Sequence, residues 1–171
     1  MWKYRGQQRP PFAEQPGEGQ ESVWDYPRPP VLVEDRRRIT IQWQGLRLLD
    51  TDNCIRVLET ASPPTFYFPP EALREDVLRA EPGGSYCEWK GQARYWRLEK
   101  NGAVQACAAW SYPTPKPAFS RIAGWLAFYP QHLDCRIDGE PVRAQDGGFY
   151  GGWVSADIVG PWKGQQRTGA W

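Results

Sequence analysis

The chain has 171 residues, with 21 Lys and Arg against 20 Asp and Glu and a formal charge of +1. That length fits one domain, and so even a charge balance supplies no global field to recruit nucleic acid or an anionic membrane. Ten Trp, eight Tyr and six Phe are more rings than a core this size needs, because each can bury about 150–250 Å²; some are expected to line a cavity or to pin down the chain ends.

Residues 1–37 are rich in proline and glycine and show neither a helical nor a strand period, which predicts an extended N-terminal arm. Within it "ESVWDYPRPP" sets Trp24 and Tyr26 in a proline-stiffened run. Disordered segments rarely hold such anchors, so residues 21–30 are expected to pack on the domain, with 1–20 the loosest part. The first thirty residues hold no apolar signal-like run, and nowhere do eighteen apolar residues follow one another, so neither a signal peptide nor a membrane span is expected and the protein reads as cytoplasmic. Arg36-Arg37-Arg38 directly follows Glu34-Asp35 and reads as a solvated turn rather than a phosphate clamp.

From residue 38 to 138 the punctuation is that of an antiparallel β protein. "ITIQW" and "LRLLD" flank Gln44-Gly45, "CIRVLE" and "TFYF" flank Pro63-Pro64, "ARYWRLEK" and "AVQACAAWSY" flank Asn101-Gly102, and "LDCRID" runs into Gly139. One short helix is expected over "PPEALREDVLRA", with Pro at its start, Leu73, Val77 and Leu78 on one stripe and Gly83-Gly84 as a stop. Residues 139–171 form a C-terminal extension rich in glycine and aromatics, in which "GGFYGGW" reads as a strand edge. "GQQR" occurs at 6–9 and again at 164–167, a repetition in two polar tails that is best read as chance. The fold class is mainly β: a single small domain of tilted antiparallel sheets with one short helix and two terminal arms.

The Asn101-Gly102 turn fixes an expected register, with Lys100 facing Ala103 and Tyr95 facing Ala108. Tyr95, Trp110 and Tyr112 then share one face with alanines between them, which leaves a concavity. The other face sets Trp96 and Leu98 against Cys107 and Ala109 and reads as core. In "CEWKGQARYW", residues 87 to 96, two strands meet around a turn, and Lys90 is the cation nearest the aromatic face. A lysine snorkelling over a ring in a filled core would leave the same pattern. Cys54, Cys87, Cys107 and Cys135 form no C-x-x-C, and His132 is the single histidine, so no metal and no cofactor is expected, and most of the thiols read as small buried hydrophobes.

Taken together, "ESVWDYPRPP", "RVLETASPPTFYFP", "CEWKGQARYW", "AAWSYP", "IAGWLAFYP" and "GGFYGGW" resemble the domain-of-unknown-function family numbered 427, which also carries a nucleotidyltransferase label. The resemblance covers about residues 38–138, and the arm and tail resemble longer members. It implies a β-tent-like fold of two tilted sheets, similar to methionine sulfoxide reductase B and to the ligand-binding domain of cereblon, with an aromatic-lined pocket between the sheets. The paired C-x-x-C knuckles and the redox-cysteine motif of those relatives have no match here. By motif position the resemblance places Glu59, Tyr67, Cys87, Lys90, Trp96, Trp110, Tyr112 and Tyr129 near the pocket, and the hairpin register adds Tyr95.

Three functions compete. An aromatic pocket without a nucleophile, base and orienting group suits a binding module for a small molecule or a modified side chain, in which Glu59 sets charge preference and Lys90 grips a carboxylate or phosphate. A metal-assisted nucleotidyl- or phosphoryl-transfer enzyme finds support only in Asp50 and Asp52, two apart on one strand face, with no phosphate-cradling glycine loop; Cys87 would need a base, and His132 lies in a separate segment. An assembly protein would present "DYPRPP" to a partner. No catalytic residue stands out.

Overall fold

Strands form where apolar and polar residues alternate. In Ile39–Trp43, Ile39, Ile41 and Trp43 are buried while Thr40 and Gln42 are half-buried. The computed structural model describes residues 2–165. In chain order the strands are β1 (Glu21–Ser22), β2 (Val31–Asp35), β3 (Ile39–Trp43), β4 (Leu46–Thr51), β5 (Cys54–Leu58), β6 (Thr65–Tyr67), β7 (Leu78–Cys87) and β8 (Gly91–Lys100). They continue with β9 (Ala103–Ser111), β10 (Leu126–Phe128), β11 (Asp134–Ile137), β12 (Glu140–Pro141), β13 (Arg143–Ala144), β14 (Trp153–Val154) and β15 (Ile158–Val159). The mainly β class is as expected, but the strands are shared among more than two sheets. Two four-stranded sheets, β10-β9-β8-β7 and β12-β11-β3-β4, accompany a three-stranded β2-β5-β6 and the two-stranded pairs β13-β14 and β1-β15.

The turn chemistry places the hairpins as read. Gln44-Gly45, Asn101-Gly102 and Asp138-Gly139 all have positive φ at both residues, the backbone that a two-residue hairpin requires. The helix expected over 69–80 does not form: Pro70–Ala72 and Glu75–Val77 are two 3-10 turns, and the chain then enters β7. Leu73 pairs with Leu49 in an isolated β-bridge, so backbone pairing and burial of Leu73 and Val77 outweigh a helix of barely three turns. In "GGFYGGW" only Trp153 lies in a strand.

The β8–β9 register starts at Lys100 opposite Ala103, as expected, and then slips. Trp96 faces Ala109 and Tyr95 faces Trp110, because a bulge lies between Trp96 and Leu98. The slip of two residues preserves which face each side chain takes. Cys107 is a correction: it sits in the bulge at φ 52 and is exposed, not core. A matching irregularity in β7 lies between Ala80 and Gly84, and Glu81 Oε1 accepts the Cys107 amide at 3.1 Å.

Three buried clusters result. Trp96, Leu98 and Ala109 face the first, with Ile39, Ile41, Phe68, Phe128 and Trp153. The opposite face of the same sheet meets β5 and β6 in the second, around Tyr67, Trp110, Tyr112, Phe119 and Ile122. The third belongs to the chain ends: Trp24 and Tyr26 of the arm with Val154, Ile158 and Trp162 of the extension. Trp24 Nε1 donates to Pro161 O at 2.9 Å, and β1 pairs in parallel with β15. Residues 2–20, expected to be the loosest, also dock: Tyr4 and Phe12 meet the Trp24 ring edge to face, the Glu14 amide donates to Gly160 O at 2.9 Å, and Trp2 lies 5.3 Å from Trp89. The second "GQQR" copy runs into residues 166–171, which lie outside the described residues.

Charge ties the same three regions together. Arg56, on β5, pairs with Glu21 of the arm at 2.7 Å and with Asp35 of β2 at 3.2 Å, and Arg37 joins Asp35 at 2.7 Å to Asp157 of the extension at 2.6 Å. Tyr26 Oη donates to Glu21 Oε1 at 2.8 Å. The Arg56 Nε–H has no hydrogen-bond partner among the described residues, so its approach to Asp35 is coulombic.

Two expectations follow from this packing. Trp24→Ala is expected to lower the stability by about 3–5 kcal/mol in urea unfolding, because a large buried ring is lost, and deleting residues 1–20 should cost measurably less than deleting 1–30 but more than nothing. Equal stability of both truncations and the full chain would show that the arm is a tether only. The second concerns acid. Hydrogen bonds from Arg56 hold the Glu21 carboxyl below its usual range; burial raises Asp35 and Asp157, but Arg37 outweighs it at the first, and Ser155 with Arg37 at the second, so both also end low. A depressed folded-state pKa adds stability that is present above the unfolded value and is lost as pH falls through the folded one. Unfolded carboxylates titrate near about pH 4, so stability should hold from pH 7 to about pH 5 and drop below about pH 4, less steeply in Glu21→Gln. A flat profile down to pH 3 would contradict the network.

Candidate functional site

The second cluster supplies the site's floor. Tyr67 is fully buried at the end of β6 and its hydroxyl accepts the Trp110 Nε1–H at 3.0 Å. The two rings meet edge to face at 6.1 Å between centroids, and Trp110 lies 4.5 Å from Tyr129 at 50°. Burial raises the pKa of Tyr67, Tyr112 and Tyr129, so all three are neutral phenols at physiological pH.

Two turns bring charge to the edge of these rings. The first follows β5 and carries Glu59. Its shape is imposed from outside: the Thr60 amide donates to Pro27 O at 3.1 Å, the Ala61 amide to Val23 O at 3.0 Å, and Ala61 O accepts the Lys163 amide at 2.9 Å. Ala61 itself is held at φ 67, a left-handed backbone that costs a residue with a Cβ about 1–2 kcal/mol. The second is the β7–β8 turn of "CEWKGQARYW", carrying Lys90. Lys90 O accepts the Lys116 amide at 3.0 Å, and Lys116 Nζ donates to Glu88 O at 2.5 Å. Lys90 Nζ sits 5.7 Å from the Tyr112 ring centroid and 5.8 Å from that of Phe119, within cation–π range.

Glu59 and Lys90 line one cleft of about 130 Å³, together with Thr65, the buried Gln145, Gly151 and Gly152. Both charged side chains are half-buried. No ion pair within 4.0 Å and no side-chain hydrogen bond engages either one among the described residues. Lys163 lies in the electrostatic field of Glu59: burial pushes its ammonium pKa down and the Glu59 charge opposes that.

The cleft is roofed by the extension. Gly151 rests on Trp110 and Tyr129 so closely that a Cβ there would collide with the Trp110 ring, and Gly152 is pressed equally hard on Gln145. Gln145 Nε2 donates to Lys163 O at 2.7 Å, and the Trp153 amide to Pro64 O at 2.8 Å. The Trp110 side of the aromatic cluster expected from sequence is therefore covered, and at this cleft its polar edge opens.

The sequence-derived residues divide into groups. Tyr67, Trp110, Tyr112 and Tyr129 come together, with Tyr95 and the half-buried Cys87 packed against them, and Glu59 with Lys90 at the rim. Trp96 is a correction, since it lies on the opposite face, where Nε1 donates to Ser111 Oγ at 3.0 Å and the ring stacks with the Arg94 guanidinium. Trp89 is half-buried and sits in the turn rather than in a strand. Thr65, Gln145, Gly151 and Gly152 were not foreseen. The second Gly-Gly of "GGFYGGW" was visible in sequence, whereas nothing local marked Gln145.

The residues invoked for catalysis are differently engaged. Asp50 is held by Arg38 at 2.5 Å and by Arg47 at 3.0 Å, so its carboxylate is already neutralised. No group of three or more His, Cys, Asp or Glu side chains is placed to hold a metal among the described residues. Cys54 and Cys135 are buried, and burial raises both thiols, Cys54 to about 12. No helix among the described residues is long and apolar enough to cross a membrane.

The Tyr67–Trp110 hydrogen bond can be tested directly. Tyr67→Phe keeps the ring and leaves a buried indole N–H unpaired, so it should cost about 1–3 kcal/mol in chemical unfolding. Tyr112→Phe removes a hydroxyl with no hydrogen-bond partner among the described residues and should stay within about 0.5 kcal/mol of the parent. Equal effects would show that the bond carries no weight.

A search of curated proteins finds no match to the chain. A family model described as a domain of unknown function, DUF427, matches residues 31–139, which reaches from β2 to the turn after β11 and takes in both charged turns and the ring cluster. The chain belongs to that family, the domain of unknown function DUF427.

Proposed function

We propose that this domain binds a small molecule in the cleft between the Glu59 and Lys90 turns, with the ring cluster as its apolar floor. The observation that carries the reading is a pair of half-buried, opposite charges that share one cleft with no ion pair or side-chain hydrogen bond to each other or to any other described residue, Lys90 resting only over the Tyr112 and Phe119 rings. Partly desolvating two charges without pairing them is costly, and a ligand that meets both relieves the cost. A cleft of about 130 Å³ is smaller than drug-sized sites of about 300–1,000 Å³. The ligand class is therefore compact and doubly functional: a carboxylate or phosphate for Lys90 and an ammonium or N–H group for Glu59. The strained Ala61 backbone beside Glu59 supports the reading, because such strain gathers at binding sites.

The test is a thermal-shift screen of amino acids, small dicarboxylates, phosphosugars and nucleotides with Mg²⁺, followed by titration of the best probe. At 100 times its dissociation constant a true ligand adds about 2.7 kcal/mol to stability. Lys90→Met should keep the fold, losing at most about 1 kcal/mol, yet weaken an anionic ligand by roughly 10- to 150-fold, the equivalent of a hydrogen bond to a charged group. Glu59→Gln should weaken the amine-bearing ligands selectively. Unchanged affinity in both variants would remove the cleft from the reading, and a ligand bound only with Mg²⁺ and turned over would favour the transferase alternative.

A further inference from the structure

A second cavity, of about 350 Å³, lies where the β9 bulge meets the segment 129–132 and the glycine-rich turn 147–149. Its lining includes the rings of Tyr95, Tyr129 and Phe149, the amide of Gln131, the imidazole of His132 and the thiol of Cys107. Tyr129 separates it from the Glu59–Lys90 cleft, since that ring also touches Trp110 and Gly151. We propose that this cavity is a binding site for a planar heterocycle that carries an N–H donor.

Three independent features converge on it. The first is an unmet acceptor. Gln131 Nε2 donates to Tyr150 O at 3.1 Å, and because a carbonyl only accepts, this fixes which end of the amide is nitrogen. The other end, Gln131 Oε1, is buried and has no hydrogen-bond partner among the described residues, a vacancy that an N–H donor fills. The second is an aromatic with no structural reason for its place. Phe149 is 81% exposed and touches Tyr150 edge to face at 5.3 Å. Held out on Gly147 and Gly148, both at positive φ, it stands at the cavity rim, where a flat ring could stack and bury it. The third is strain. Cys107 is a non-glycine residue at φ 52, and the bulge that carries it is anchored through its amide to Glu81. Bulges of this kind re-aim side chains beside sites. The Tyr95 hydroxyl is engaged with Ser85 Oγ at 2.6 Å, and Gln131, His132 and Gln105 are polar side chains that line the cavity beside it. No Asp, Glu, Lys or Arg lines the cavity among the described residues, which favours an uncharged ring over an anion or a cation.

The matched pair theophylline and caffeine tests this, because they differ in one N–H replaced by N–CH₃. Each would be titrated into the ¹⁵N-labelled full chain while backbone amide shifts are followed. The expected result is shifts confined to Cys107, Gln131, His132, Gly148 and Phe149, with theophylline bound at least about tenfold more tightly, the difference a met or unmet buried acceptor makes. Gln131→Leu should erase that discrimination, and Phe149→Ser, an exposed position, should weaken both ligands without changing the melting temperature. Alkylation of Cys107 by iodoacetamide should slow in the presence of theophylline. Absence of shifts at millimolar ligand, shifts at Glu59 and Lys90 instead, or equal binding of the two xanthines would each overturn the proposal.

Discussion

Two backbone hydrogen bonds at one residue hold the chain ends and the candidate site together. The Ala61 amide is bonded to Val23 of the arm and its carbonyl to Lys163 of the extension, and between them the residue is kept in a left-handed conformation. Ala61 packs with Trp24 and Trp162 in the common cluster, and the Arg56 network adds charge to the contact between arm and strands. Glu59 is carried on the turn so formed. The arm and extension, which lie largely outside the matched family region, thus supply the geometry that the central strands alone do not: the arm sets the turn and the extension roofs the cleft.

The sheet β10-β9-β8-β7 is the other determinant. Where β8, β9 and β10 run together it is covered on both faces, by the main core on one side and by β5 and β6 on the other, although most of β7 stays exposed, and so the central strands cannot show a simple polar alternation. That explains why rings occur on both sides of β8 within two consecutive residues. Tyr95 joins the site floor, while Trp96 fills the core. The bulge in β9 moves partners by two positions and leaves these faces unchanged, which is why the cluster assembles even though the pairing differs from the simple hairpin.

Much of this was legible in the chain. Hairpin turns declare themselves through residues that tolerate positive φ, and Asn101-Gly102 fixed both the turn and the side each ring would take. Trp24 and Tyr26 marked the arm as docked. Other features depend on distant partners. The segment 69–80 has a helical stripe, but Leu49 captures its backbone. The β9 bulge has no sequence mark, since Ala106, Cys107 and Ala108 would fit a regular strand equally well. The covering of the aromatic cage by Gly151 could not be read either: glycine pairs signal turns, and only the fold shows that this one lies flat on Trp110.

Native-state amide exchange at Thr60, Ala61 and Lys163 tests most directly whether arm, extension and site turn form one unit. If they do, all three amides are protected to nearly the free energy of global unfolding, together with the amides of β8 and β9. If the Ala61 and Lys163 amides exchange at rates near those of an open loop while the central sheet stays protected, the turn is not held by the chain ends and the cleft is not a preformed site.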